Sequence, residues 1–151
     1  MNQNKKSIWT FGARQVITAV IGAAVYALLA YATYQLKLPD SGNVSIRPAV
    51  VVPIFFGIVF GPIVGFITGF FGNIFSDLLS GPEFWFWWDI GNGLMGFIPG
   101  LFTGTIVDYK AFKSLLLGEL SVILGVTVGM GVSSISEIWV SNETLLSVIN
   151  S

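Results

Sequence analysis

Cysteine and histidine are both absent from this 151-residue chain. With them go disulfide frameworks, thiolate and imidazole metal sites, cysteine nucleophiles and every Ser-His triad. Charge is scarce as well, at 10% of residues against the roughly 25% of an ordinary soluble domain. Its balance of 7 basic against 8 acidic residues leaves no basic tract for a nucleic-acid partner. No G-x-x-x-x-G-K-[ST] phosphate loop occurs, so any energy from ATP must come from another protein. No cofactor or metal is implied by the residues that remain.

What is present is apolar and small: 54% hydrophobic residues, 18 glycines and a mean hydropathy of +0.80. Such a chain cannot be arranged as a water-soluble globule, and it reads as a single all-α integral membrane bundle over residues 1–151. A spanning helix needs roughly 20 apolar residues at a 1.5 Å rise. The apolar blocks predict five helices, at about 16–36, 44–60, 62–79, 85–107 and 112–135. Gly61-Pro62 divides the second block from the third, because proline disfavours helix at the preceding residue and donates no backbone hydrogen bond. After Glu137 the pattern Leu145, Leu146, Val148, Ile149 resembles the approach to a sixth helix, missing or truncated here. The motif Ala30-Tyr31-Ala32 imitates a leader-cleavage site, but the small-residue spacing of the first helix favours a retained span.

Orientation follows from the basic residues, which concentrate in cytoplasmic segments. With the N-terminus inside, Lys5, Lys6, Arg14, Lys110 and Lys113 are cytoplasmic, and only Lys37 and Arg47 lie outside. The outer segments are acidic and aromatic: Asp40, Glu83, Trp85, Trp87, Trp88, Asp89, Glu137, Trp139 and Glu143. The tryptophans suit a headgroup-level belt.

Two stripes step by four residues through the third and fourth helices: Gly61, Gly65, Gly69, Asn73, Asp77, and Trp88, Asn92, Gly96, Gly100, Gly104. Each follows a helix ridge that is small at one end and polar at the other. The helices run in opposite directions, so their polar ends meet at one membrane surface. Asn73 and Asp77 fall about 18 and 24 Å above the inner start of their helix. At that depth a polar group is costly unless it is paired or meets water, which makes it a candidate for function.

Two readings compete for the amides: Asn73 and Asn92 hold a ligand, or they hydrogen-bond one helix to another. Asp77 joins the candidates, whereas Asp89, nearest a helix end, is expected to be an interfacial residue exposed to water. Arg47 could bind an anionic ligand group or pair with Asp77 or Asp89; reaching to lipid headgroups is the alternative. Trp88, sharing a ridge with Asn92, is the candidate for stacking on a planar ring. Glu119 lies about 10 Å into the fifth helix from the inner side, away from these groups. Glu137 and Trp139 could form part of an outer lid. Asp77 and Asp89 could in principle act as an acid pair, but no metal or Gly-Asp motif surrounds them, and the chain is read as a non-enzyme.

The run Arg47-Pro48-Ala49-Val50-Val51-Val52-Pro53, the segment Val59 to Phe70 and the Trp-rich entry to the fourth helix resemble S components of energy-coupling factor (ECF) transporters. The riboflavin-transporter-like branch is the nearest likeness, over most of residues 10 to 135. The resemblance implies a subunit that captures a small water-soluble vitamin or precursor at the outer mouth and docks on a membrane-embedded coupling protein with two cytoplasmic ATPases. Riboflavin, thiamine or its pyrimidine precursor, pyridoxine-type compounds, cobalamin and queuosine precursors all remain open. Family members use an A-x-x-x-A surface on the first helix for docking, which Ala19, Ala23 and Ala27 match; packing within the bundle is the competing role of such a surface. The family normally has six helices, and five are visible here. A ligand-free scaffold subunit of a larger membrane complex is the alternative function.

Overall fold

A computed structural model of the chain describes residues 9, 12–33, 47–81, 85–106 and 111–140. Among the described residues five α-helices form the bundle: α1 (Ala13–Thr33), α2 (Val51–Phe60), α3 (Pro62–Ser80), α4 (Phe86–Gly100) and α5 (Phe112–Val140), with a 3-10 turn, Pro48–Val50, leading into α2. Among the described residues there is no strand. Three helical stretches, Ala13–Thr33, Pro62–Ser80 and Phe112–Ser136, are long and apolar enough to cross a membrane. The chain is a multi-pass, all-α membrane protein.

Small residues face inward and large ones outward, the reverse of what a water-soluble bundle would show. On α1 the buried positions are Ala19, Gly22, Ala23, Tyr26 and Ala27, while Ile17, Val20, Ile21, Val25 and Leu28 are exposed. Lipid is as apolar as leucine, so nothing drives large aliphatic side chains off the lipid face, and close backbone approach decides which side packs. Ala19, Ala23 and Ala27 are 1, 2 and 4% exposed. Their short side chains let α1 lie against the 3-10 turn, α2 and α3.

Helix directions can be read from the glycine contacts. Gly22 lies against Thr68 and Gly72 against Tyr26 at a constant offset, so α1 and α3 run parallel. Gly65 faces Gly96 and Gly69 faces Asn92, so α3 and α4 run antiparallel, and Gly91 against Ser133 with Gly125 against Pro99 sets α5 antiparallel to α4. The α3–α4 interface is the most extensive in the bundle, and α5 packs chiefly on α4. Arg14 and Lys113, both exposed, thus lie toward one end of the molecule, and Asp77 and Asp89 toward the other.

The break between α2 and α3 is a single residue. Gly61 adopts φ 106°, a conformation that L side chains rarely take. Pro62 then starts α3, where its missing N–H costs nothing. The fourth helix is shorter than its apolar pattern predicts, ending at Gly100 and not at Val107. Pro99 donates no backbone hydrogen bond, and the chain tightens into turns in which Phe102 N bonds Pro99 O at 3.1 Å and Thr103 N bonds Gly100 O at 3.2 Å. The Thr103 hydroxyl also reaches Gly57 O on α2 at 3.0 Å. Gly104 consequently lies off the helix whose stripe it was expected to continue. The second helix starts later than expected, after the 3-10 turn, and α5 runs five residues beyond its predicted end at Ile135.

Candidate functional site

Antiparallel glycine packing brings the polar ends of α3 and α4 together. A Cβ at Gly65 would strike Gly96 O, and one at Gly69 would strike Asn92 O, so the two backbones are in direct contact. One turn past Gly69 the same register sets Asn73 opposite Asp89. The Asn73 Nδ2 donates to Asp89 Oδ1 at 2.9 Å and to Asp77 Oδ2 at 3.1 Å. Carboxylates only accept when ionised, so these two contacts fix which end of the amide is nitrogen.

The first helix completes the cluster. Gly72 leaves room for the Tyr26 ring, since a Cβ there would lie 2.7 Å from its Cδ1. The phenol oxygen reaches Asn92 Oδ1 at 2.9 Å and Asn73 Oδ1 at 3.2 Å. One phenol proton is thereby held between two amide oxygens, with Asn92 the nearer acceptor. The Asn92 Nδ2 in turn donates to Trp88 O at 2.8 Å. Four side chains of this network are almost sealed, with Tyr26 and Asp89 at 0%, Asn73 at 2% and Asn92 at 3% exposure, while Asp77 is partly open. Asp89 Oδ2 has no hydrogen-bond partner among the described residues.

Asn73, Asp77 and Asn92 are thus brought into one hydrogen-bonded set, as their stripes suggested. Trp88 enters it through its backbone carbonyl, with its side chain half-buried. Arg47 heads the 3-10 turn, is exposed, and lies within electrostatic reach of Tyr26. Asp89 corrects the expectation of a water-exposed interfacial residue: its side chain is fully buried and is shared by the Asn73 amide. Trp85, Phe86 and Trp87 are exposed, as suits an interfacial belt, and Trp139 on α5 is 87% exposed. Glu119 is exposed on α5. Lys5, Lys6, Lys37, Asp40, Glu83, Lys110 and Glu143, which carried part of the orientation argument, lie outside the described residues, as does the side chain of Glu137.

Tyr26 escaped the sequence reading, and the burial of Asp89 went against it. Tyr26 falls three residues after Ala23 and four after Gly22, on the small-residue face of α1, and a large polar-tipped side chain there had to point into the bundle. Asp89 precedes Asn92 by three residues, a spacing that shares a helix face as surely as four does. Tyr26→Phe should lower the melting temperature in detergent by an amount equivalent to about 1 kcal/mol, because it strips two buried amide oxygens of a donor. An unchanged melting curve would show that the phenol proton is not bound there.

A family model described as ECF-type riboflavin transporter, S component, matches residues 10–150. The chain is 38% identical over 92 residues to a UPF0397 protein of Vibrio atlanticus, covering 61% of this chain and 50% of that protein. It is 32% identical over 127 residues to a UPF0397 protein of Aliivibrio salmonicida, covering 81% and 68%. A UPF0397 protein of Vibrio vulnificus is 37% identical over 90 residues, covering 60% and 48%. The match thus spans about half the length of the two Vibrio relatives. No solved structure matches the chain. The family is one of transporter subunits and not of enzymes, and this chain belongs to it: the ECF-type riboflavin transporter S component family.

Proposed function

We propose that this chain captures a small water-soluble vitamin or vitamin precursor at the outer mouth of the bundle and hands it to an ECF coupling protein driven by two cytoplasmic ATPases. The N-terminus is cytoplasmic in this reading. The observation that carries it is the buried network of Tyr26, Asn73, Asp89 and Asn92, drawn from three helices and reaching a partly open Asp77. Polar groups at bilayer depth are costly, and an ionisable one retained there points to a substrate pathway. Arg47, exposed and within electrostatic reach of Tyr26, stands at the entrance. With Ala19, Ala23 and Ala27 turned inward, docking on the coupling protein in this conformation falls to another part of the surface.

The test is to purify the full chain in detergent, denature it and identify released small molecules by mass spectrometry. A stoichiometric vitamin-like compound is expected, and Asp77→Ala or Asn92→Ala should lower its loading at least about tenfold while the bundle remains folded. Full loading in both variants would remove these residues from the site. No released compound, together with no vitamin that raises the melting temperature, would favour a ligand-free scaffold subunit.

A further inference from the structure

The fifth helix runs on past the bundle at the end away from the polar network. Pro62, at the start of α3, lies against Gly100, at the end of α4, and Gly125 of α5 lies against Pro99. Phe112 therefore stands about 20 Å farther along α5 than that level, at 1.5 Å per residue. On one side of this stretch the turns after α4 bring Ile106 near Gly118. On the other side Leu115, Leu116, Leu120, Ile123 and Leu124 are exposed. Glu119 is exposed among them, and no described residue bonds to it.

Glu119 is set inside this apolar face and not beside it. Residues three and four apart are neighbours on a helix, and those of Glu119 are Leu115, Leu116, Val122 and Ile123. No depth in a bilayer suits that arrangement. If the apolar stretch Phe112–Ser136 fills the hydrocarbon, Glu119 lies about 10 Å inside its edge, where a carboxylate without a partner is costly. If the bilayer instead follows α3, Pro62–Ser80, then Leu115, Leu116 and Leu120 stand outside the hydrocarbon as an apolar patch of the kind that marks a protein contact. Lying flat in the interface does not resolve the conflict, because that requires charge and leucine on opposite faces. A protein helix laid along the face, with a positive side chain against Glu119, covers the leucines and pairs the carboxylate together.

The charge narrows the occupant. Two copies of this chain share one orientation in a membrane, so a symmetric pairing through this face would set Glu119 against Glu119, like charge against like. We propose that the α5 face of Leu116, Glu119, Leu120 and Ile123 is where the membrane-embedded coupling protein seats a helix, with a lysine or arginine of that helix paired to Glu119. The proposal rests on the reading above, in which the chain hands its ligand to a coupling protein, and it names where that partner binds. The face lies toward the end that holds Arg14 and Lys113, which is the side of the ATPases in that reading. From Ile123 the same four-residue ridge continues to Thr127, which is exposed, and to Gly131, where a Cβ would meet nothing within 4 Å. Small residues there let a docked helix lie close.

The experiment co-expresses the full chain with the coupling protein and two ATPases encoded in the same genome, and places a photo-crosslinking benzoylphenylalanine at Leu120. Crosslinks should reach a coupling-protein peptide that holds or adjoins a lysine or arginine. Glu119→Lys should lower recovery of the complex at least about tenfold, while the melting temperature and ligand loading of the chain alone stay at wild-type values. Replacing the partner's cation by glutamate should then restore the complex. The crosslink keeps Glu119 in place, so it decides the matter even if Glu119→Lys folds poorly. Crosslinks from Leu120 only to lipid, to a second copy or to another segment of this chain would overturn the proposal. Full recovery of the complex with a folded Glu119→Lys chain would do the same and leave the capture function standing. If the wild-type chain forms no complex at all, the coupling reading itself fails and takes this proposal with it.

Discussion

Replacing Gly69 by alanine should destabilise the bundle by about 3 kcal/mol and abolish ligand loading, although only one methyl group is added. The new Cβ would strike Asn92 O and lie 2.6 Å from Asn92 C and 3.0 Å from Gly93 N. All three are backbone atoms of a helix, which cannot rotate aside as a side chain can. The helices α3 and α4 must therefore separate along their closest line of contact. Asn73 lies one turn farther on, so its 2.9 Å bond to Asp89 would lengthen beyond hydrogen-bond range together with the packing. Gly131→Ala is the control: a Cβ there meets nothing within 4 Å. Removing a flexible residue from a helix interior should raise stability by about 0.5–1 kcal/mol. Melting curves for the two variants decide the matter. If Gly69→Ala melts with the wild type, the backbones are not in contact at that point.

The bundle was legible in the sequence because its strongest determinants are local. Apolar run length, the Gly61-Pro62 break and four-residue small stripes each act within one or two helical turns. They placed α1 and α3 within about three residues of their observed ends. The antiparallel direction of α3 and α4 was legible too, since the polar ends of their two ridges had to meet at one surface; the register, which sets Gly65 on Gly96 and Gly69 on Asn92, was not. The end of α4 was not, because Ile98, Pro99, Gly100, Leu101 and Phe102 are as apolar as the helix before them. The helix gives way there to turns closed by Phe102 N on Pro99 O and Thr103 N on Gly100 O, and the Thr103 hydroxyl bond to Gly57 comes from a distant part of the chain. The same limit hid Tyr26 and the burial of Asp89. Their roles depend on Gly72 vacating space for a ring and on Asn73 facing α4, both consequences of how three helices pack. Residues that steer by their own spacing were found, whereas residues whose partners arrive from other helices were found only in part.

Asn73 is the side chain whose loss should be felt most broadly, since it bonds to α1, α3 and α4 together. Asn73→Leu conserves most of the volume, so no large cavity opens. It nonetheless leaves Asp77 and Asp89 near each other with no amide between them, and it removes one of the two acceptors of the Tyr26 proton. A single hydrogen bond between membrane helices contributes only about 0.6 kcal/mol on average, but stranding a buried carboxylate costs considerably more. The expected loss is about 2–4 kcal/mol, accompanied by loss of ligand. The source of that loss can be isolated by a double-mutant cycle. If like-charge repulsion and the stranded carboxylate dominate, Asp89→Asn introduced into Asn73→Leu should recover part of the stability, although Asp89→Asn alone is neutral or destabilising. The two substitutions should then be non-additive by about 1–3 kcal/mol. Strict additivity in the melting temperatures would mean that Asn73 and Asp89 act independently, and the shared amide would not be the element that joins the two helices.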